Sequence, residues 1–221
     1  MCFSKHIALL GLLFAFVLPL FSQEKYPFEN EIIAYRNQDR QQMPARGATL
    51  FVGSSSIRLW DDLQQRFPNE PIIRRGVGGC QLAHIVEHYM DSIVYPYRAN
   101  KVFVYAGEND IADGKTAREV AGNFKKLWKL LRKQNPDVEI FYLAIKPSSS
   151  RMDKAGTFAT ANRRIKEFLA NKARGTYLDV ASVLLTVDGK PDNRLFRDDR
   201  LHLNSHGYDR WEAVLKPYLV D

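Results

Sequence analysis

The 221 residues are 45% hydrophobic and 26% charged, with a formal net charge of +7. That balance suits one globular domain with a full core and excludes a collagen-like, disordered or disulfide-stapled chain. The basic excess does not by itself point to nucleic acid. Arg118, Lys125, Lys126, Lys129, Arg132, Lys133, Arg163, Arg164 and Lys166 alternate with apolar positions such as Phe124, Leu127 and Leu131, as on the solvated face of a helix.

At the N-terminus, Lys5 and His6 precede an apolar run from Ile7 to Phe21, and Ser22-Gln23-Glu24 turns polar. A charged start, a short apolar stretch and a small residue are the marks of a secretory leader. Residues 1–22 are therefore expected to be a signal peptide, making the protein periplasmic or secreted with no stable membrane span after cleavage; a retained N-terminal anchor is the alternative. Cleavage leaves Cys80 as the one cysteine, so no internal disulfide forms, and Cys80 reads as a small packing residue. Residues 23–48 are expected to form an N-terminal helical extension, with its helix over Glu29–Gln42, and residues 49–221 the main domain.

Five apolar runs read as strands: Thr49–Val52, Pro71–Ile73, Lys101–Tyr105, Glu139–Ile145 and Thr176–Val180. Helical periodicity fills the gaps at Ile57–Phe67, Leu82–Ile93, Ala117–Lys133 and Ala159–Lys172, and Asn204–Tyr218 closes the chain. Alternation of strand and helix predicts an α/β fold, a five-stranded mostly parallel sheet in a three-layer α/β/α sandwich. In such sheets the site lies beyond the C-terminal strand ends. The loops there are Gly53-Ser54-Ser55-Ser56, Arg75-Gly76-Val77-Gly78-Gly79-Cys80, Ala106-Gly107-Glu108-Asn109-Asp110, Lys146-Pro147-Ser148, and the run leading to Asp199 and His202.

These loops carry the parts of acyl-transfer chemistry. A serine nucleophile needs a base, usually histidine, and a group to orient that base. His202 sits three residues after Asp199, so one ring nitrogen can face the aspartate and the other the serine loop. The glycine pair at 78–79 allows close backbone approach, and a Gly79 N–H aimed at the reaction centre would donate to an oxyanion. Asn109 follows a strand and a glycine, and its amide can donate to the same oxyanion. Each piece alone has a plainer reading: a local Asp199–His202 turn, a tight glycine turn, an Asx-turn at Asn109.

In order, the four blocks Gly53-Ser54-Ser55, Gly76-Val77-Gly78-Gly79, Gly107-Glu108-Asn109-Asp110 and Asp199-Arg200-Leu201-His202 resemble the SGNH hydrolase superfamily, the GDSL-type esterases and lipases. The continuation Leu203-Asn204-Ser205-His206-Gly207-Tyr208 looks like the family's tail motif, and the resemblance spans about Thr49 to Tyr218. It implies a flavodoxin-like SGNH fold with Ser55 as nucleophile, His202 as base and Asp199 as its orienting acid. The oxyanion hole would be the N–H groups of Ser55 and Gly79 with the Asn109 side chain. Two positions depart from the family: the aspartate of Gly-Asp-Ser is Ser54, and an asparagine before the glycine block is Arg74. Within the serine run, spacing does not separate Ser55 from Ser54 and Ser56; the family alignment does.

The expected activity is hydrolysis of a carboxylic ester through an acyl-enzyme, with a short acyl group, acetate on a carbohydrate being the candidate. No cofactor or metal is implied; the partner is a small-molecule, carbohydrate or lipid ester, not nucleic acid. Lysophospholipase or thioesterase activity, and acyl transfer to a sugar, would use the same residues. From other classes, His84-Ile85-Val86-Glu87-His88 spells a zinc-peptidase pattern, with Glu108 or Glu119 conceivable as a further ligand. A glycan-binding domain without catalysis is the third reading.

Overall fold

The computed structural model describes residues 25–219; the leader expected at residues 1–22 lies outside them. Strands β1 (Thr49–Gly53), β2 (Ile72–Gly76), β3 (Lys101–Tyr105), β4 (Glu139–Leu143) and β5 (Gly175–Leu178) form one sheet in the order β2-β1-β3-β4-β5, every pair parallel. β1 is buried throughout, as a strand covered on both faces must be. β2 is an edge strand, which leaves room for Arg74 at its rim, while Arg75 is buried and is paired with Asp39 and the Tyr97 hydroxyl.

Alternate side chains divide the core in two. Leu50, Val52, Val102, Val104, Ile140 and Tyr142 face one helical layer. That layer holds α1 (Glu29–Gln41), α4 (Leu82–His84, continuing into a wider-wound stretch at Ile85–Val94), α6 (Ala117–Gln134) and α7 (Ala155–Leu169). Phe51, Phe103 and Phe141 face the other, where Trp60 packs against Tyr208 and Trp211 of α8 (Ser205–Leu215). The three phenylalanines sit in register on neighbouring strands and stack at 4.6 Å and 4.4 Å between ring centroids. α6 is fixed at its start by a capping box between Thr116 and Glu119. Among the described residues no helix is long and apolar enough to cross a membrane.

The expected helix over Ile57–Phe67 is two short ones, α2 (Ser55–Arg58) and α3 (Leu63–Arg66). Arg74 is the reason. Its guanidinium donates to the Arg58 carbonyl, which a continuing helix would have used, and also to Asp61 at 2.8 Å. The departure from the family pattern at Arg74 thus closes the serine turn. α7 begins four residues earlier than its periodicity predicts and ends at Leu169. Arg174, with φ of 62°, then turns the chain into β5.

The chain steps from β1 outward to β2, then crosses back over β1 to β3. This reversal opens a crevice at the C-terminal ends of β1 and β3. The central ring of the phenylalanine stack carries the packing beneath it. Phe103→Ala should cost about 3–5 kcal/mol of unfolding free energy, read as a lower urea midpoint at unchanged slope. A loss under about 1 kcal/mol would show that the stack relaxes around the cavity and does not brace the sheet.

Candidate active site

β1 ends on Gly53, where a β-carbon would lie 2.0 Å from the Tyr105 carbonyl oxygen. Only glycine lets the two strand ends close at this point. Ser54 follows in extended conformation and donates its N–H to that same carbonyl at 2.9 Å. Ser55 is the first residue of α2, against the helix's free N–H groups. Burial separates the three serines. Ser54 and Ser56 are 3% and 2% exposed, while Ser55 is half-buried and opens into a cavity of about 360 Å³.

Asp199 organises the loop from the other end of the chain. Its Oδ1 accepts the backbone N–H groups of Leu201 and His202, each at 2.9 Å, while Arg200 takes the left-handed conformation with φ of 52°. Its Oδ2 lies 2.6 Å from Nδ1 of His202, and Nε2 of that ring lies 2.9 Å from the Ser55 hydroxyl oxygen. A carboxylate only accepts, so Nδ1 carries the proton and the Nε2 lone pair faces Ser55. The backbone of His202 is pinned by Arg197, whose N–H donates to its carbonyl at 2.7 Å. Burial alone would raise the Asp199 carboxyl. The hydrogen bonds from the His202 ring and from the two N–H groups outweigh it and bring the pKa to about 2.

The glycine block is held from α1. Tyr35 donates its hydroxyl to the Gly76 carbonyl at 2.6 Å, and Glu31 accepts the Gly78 N–H at 3.1 Å. Gly79 has φ of 72°, and the Phe28 ring lies 3.0 Å from where its β-carbon would be, so a side chain is excluded twice over. Among the described residues the N–H groups of Ser55 and Gly79 have no partner. Asn109, on α5 (Glu108–Ala112), donates Nδ2 to the Cys80 carbonyl at 3.1 Å and accepts from Arg151. Ser55, Gly79, Asn109 and His202 line the one cavity. The structure therefore brings every site residue expected from the sequence to one place, with Asp199 behind His202.

Sequence reasoning missed the charged frame around it. Glu108 is buried and accepts from the Tyr105 hydroxyl at 2.5 Å and the buried Lys146 ammonium at 2.8 Å. Arg151 reaches its other oxygen at 3.3 Å. A lysine directly after the apolar run of β4 was the available signal, since it must enter the core or end the strand. Asp110 is buried and caps α4, its Oδ2 accepting the Leu82 N–H at 3.1 Å, and burial raises its carboxyl pKa.

The metal-ligand pattern at His84–His88 is not assembled. His84 Nδ1 accepts the Gln81 N–H at 3.2 Å, and His88 stacks on Tyr26 with centroids 5.3 Å apart. Glu108 is committed to Lys146 and Arg151, and Glu119 to the cap of α6. Among the described residues no three His, Cys, Asp or Glu side chains gather to hold a metal ion. Cys80 is buried with its thiol on the Gly53 carbonyl, and burial pushes its pKa up.

Comparison with known proteins follows the same lines. A model of the GDSL-like Lipase/Acylhydrolase family matches residues 45–210. The chain is 25% identical over 173 residues to platelet-activating factor acetylhydrolase IB subunit alpha2 of Rattus norvegicus, covering 76% of this chain and 72% of that protein. Its fold is similar to a platelet activating factor structure from Streptococcus pneumonia, at TM-score 0.76 and 24% identity, covering 87% of this chain and 92% of the other. It is also similar to a variant of an acetyl-xylooligosaccharide esterase from Geobacillus Stearmophilus, at TM-score 0.61 and 14% identity, covering 80% and 96%.

The low pKa of Asp199 has a stability consequence. The folded carboxyl titrates at about 2, below the ~3.9 of an unfolded aspartate, so its stabilisation is complete above about pH 4 and is lost as pH falls toward 2. Asp199→Asn should flatten the slope of unfolding free energy against pH between about 2 and 4, measured by chemical denaturation at each pH. An unchanged slope would show that the carboxylate is not held by these bonds.

Proposed function

The chain belongs to the GDSL-like lipase/acylhydrolase family, within the SGNH hydrolases, and is an ester-cleaving hydrolase; on that premise we propose that it removes short acyl groups, acetate foremost, from a carbohydrate through an acyl-enzyme on Ser55. The observation that carries this reading is the unbroken line of hydrogen bonds from Asp199 through His202 to the half-buried Ser55.

Ser55 Oγ attacks the ester carbonyl carbon as its proton passes to Nε2 of His202. The imidazolium so formed is stabilised by Asp199, which keeps its negative charge. Negative charge builds on the carbonyl oxygen, where the N–H groups of Ser55 and Gly79 and one Nδ2–H of Asn109 stabilise it. The intermediate collapses, the alcohol leaves with the proton from His202, and the acyl group stays on Ser55. Water then attacks, His202 takes its proton, and the acid is released with Ser55 restored.

Cavity chemistry supports a small acyl group on a polar alcohol. Around the serine stand Glu31, Arg58, Asn109 and Arg151, and Leu201 is the one large aliphatic side chain in the lining. A long acyl chain would find little apolar surface to bury there. The acetyl groups in the names of the rat protein and the Geobacillus esterase accord with this. With the leader at residues 1–22, the protein would meet its substrate outside the cytoplasm.

Ser55→Ala should lower kcat at least about a thousandfold, as loss of a covalent nucleophile does. Ser54→Ala and Ser56→Ala should leave most of the rate. Across nitrophenyl esters of rising chain length and acetylated sugars, kcat/KM should peak at acetate. A rate that climbs with acyl length would favour the lysophospholipase reading, and retained turnover in Ser55→Ala would remove the serine mechanism.

A further inference from the structure

Arg151 belongs to a short segment after β4 that the family motifs do not include. The segment is built onto the site from two sides. The N–H and the hydroxyl of Ser150 both donate to the Arg200 carbonyl, at 3.3 Å and 3.1 Å, within the loop between Asp199 and His202. On the other side, a single Arg151 nitrogen, Nη1, donates to Asn109 Oδ1 at 3.1 Å and to Glu108 Oε1 at 3.3 Å. Glu108 is itself immobilised by Lys146 and Tyr105 in the buried frame. Arg151 is thus anchored at a fixed point beside the Asn109 amide.

We propose that Arg151 is a positioning residue, holding the Asn109 amide in the one orientation that aims its free N–H at the oxyanion. The inference rests on the reading of Asn109 as an oxyanion donor. An amide has one accepting oxygen and a nitrogen with two donated hydrogens. Here the oxygen meets a guanidinium, which only donates, and one amide hydrogen meets the Cys80 carbonyl, which only accepts. Turning the amide over would set NH2 against guanidinium and oxygen against carbonyl. Both bonds would be lost and both contacts would become repulsive. The second Nδ2–H has no partner among the described residues and faces the remaining direction. Preorganised donors stabilise charge because they need not reorient as it develops. Cys80 alone leaves the amide free to swing about its single bond to that carbonyl.

The test is a double-mutant cycle on purified full-length enzyme, with nitrophenyl acetate as substrate and thermal unfolding recorded for each variant. Arg151→Met should lower kcat by about ten- to a hundredfold, short of the ~100- to 1,000-fold that loss of the donor itself brings in Asn109→Ala. KM should stay near the wild-type value, because orientation of the amide matters in the transition state. Arg151→Lys should restore most of the rate, since one nitrogen makes both contacts and an ammonium can stand in its place. In the Asn109→Ala background, Arg151→Met should have almost no further effect, because there is no amide left to orient. Full additivity, or a raised KM with unchanged kcat, would overturn the proposal and make Arg151 a substrate contact. Equal losses in Arg151→Met and Arg151→Lys, tracking lowered unfolding temperatures, would overturn it in favour of a purely structural role. If Asn109→Ala keeps full activity, the oxyanion reading itself fails, and that outcome is separate from the others.

Discussion

The site hangs on one hydrogen bond, 2.9 Å between Ser55 Oγ and His202 Nε2, joining residues 147 positions apart. Such a bond contributes about 1 kcal/mol net, far too little to draw the two ends of a chain together. The fold has to place its partners first. It does so by setting Ser55 just past β1 and holding His202 in the loop that leads into α8. The aromatic packing of Trp60 on Tyr208, with centroids 4.9 Å apart, ties the serine turn to the start of α8. The Tyr208 hydroxyl adds a bond to the Ser56 carbonyl at 2.9 Å. Core packing thus sets the distance that the chemistry uses.

Around this line the charges are arranged in closed sets. Glu108 is matched by Lys146 and Arg151, Asp199 by His202 and two backbone N–H groups, and Glu31 by Arg58 and the Gly78 N–H. The buried pair Glu108–Lys146 is a weak source of stability, because desolvation offsets the attraction, and exposed pairs such as Glu31–Arg58 contribute little. Their use here is geometric. Each set fixes a side chain or a loop next to the place where negative charge is expected to develop. The N-terminal helix α1 joins in this, since Phe28, Glu31 and Tyr35 all bear on the glycine block.

The central strands were legible as short apolar runs, and β3 coincides with its run, whereas β2 shares only Ile72 and Ile73 with the expected one, because its other half is Arg74, Arg75 and Gly76. The order of the blocks along the chain was legible too: the first three follow β1, β2 and β3, and the fourth leads into α8. What escaped was whatever depends on partners distant in sequence. The break after Arg58 is made by Arg74, from a neighbouring strand. Among Ser54, Ser55 and Ser56 spacing made no choice and Ser55 came from the family alignment; their difference in burial is a tertiary feature that the three-serine run does not encode. Arg151 is silent in sequence because it sits at the kink of a short 3-10 segment, Ser149–Lys154, and its partners Glu108 and Asn109 are 43 and 42 positions away. The helix at Leu82 shows the reverse error. Spacing of i and i+4 made His84 and His88 look like a metal pair, but their side chains are used for capping and for stacking on Tyr26.

The central claim is that the Ser55 oxygen carries the acyl group after activation by His202. Its most direct measurement is to mix the enzyme with an activated acetyl ester, quench in acid within the first turnovers and map the peptides by mass spectrometry. The account predicts one acetylated peptide, modified at Ser55, that fails to accumulate in His202→Ala. Acetyl on another residue, or undiminished labelling of Ser55 in His202→Ala, would contradict it.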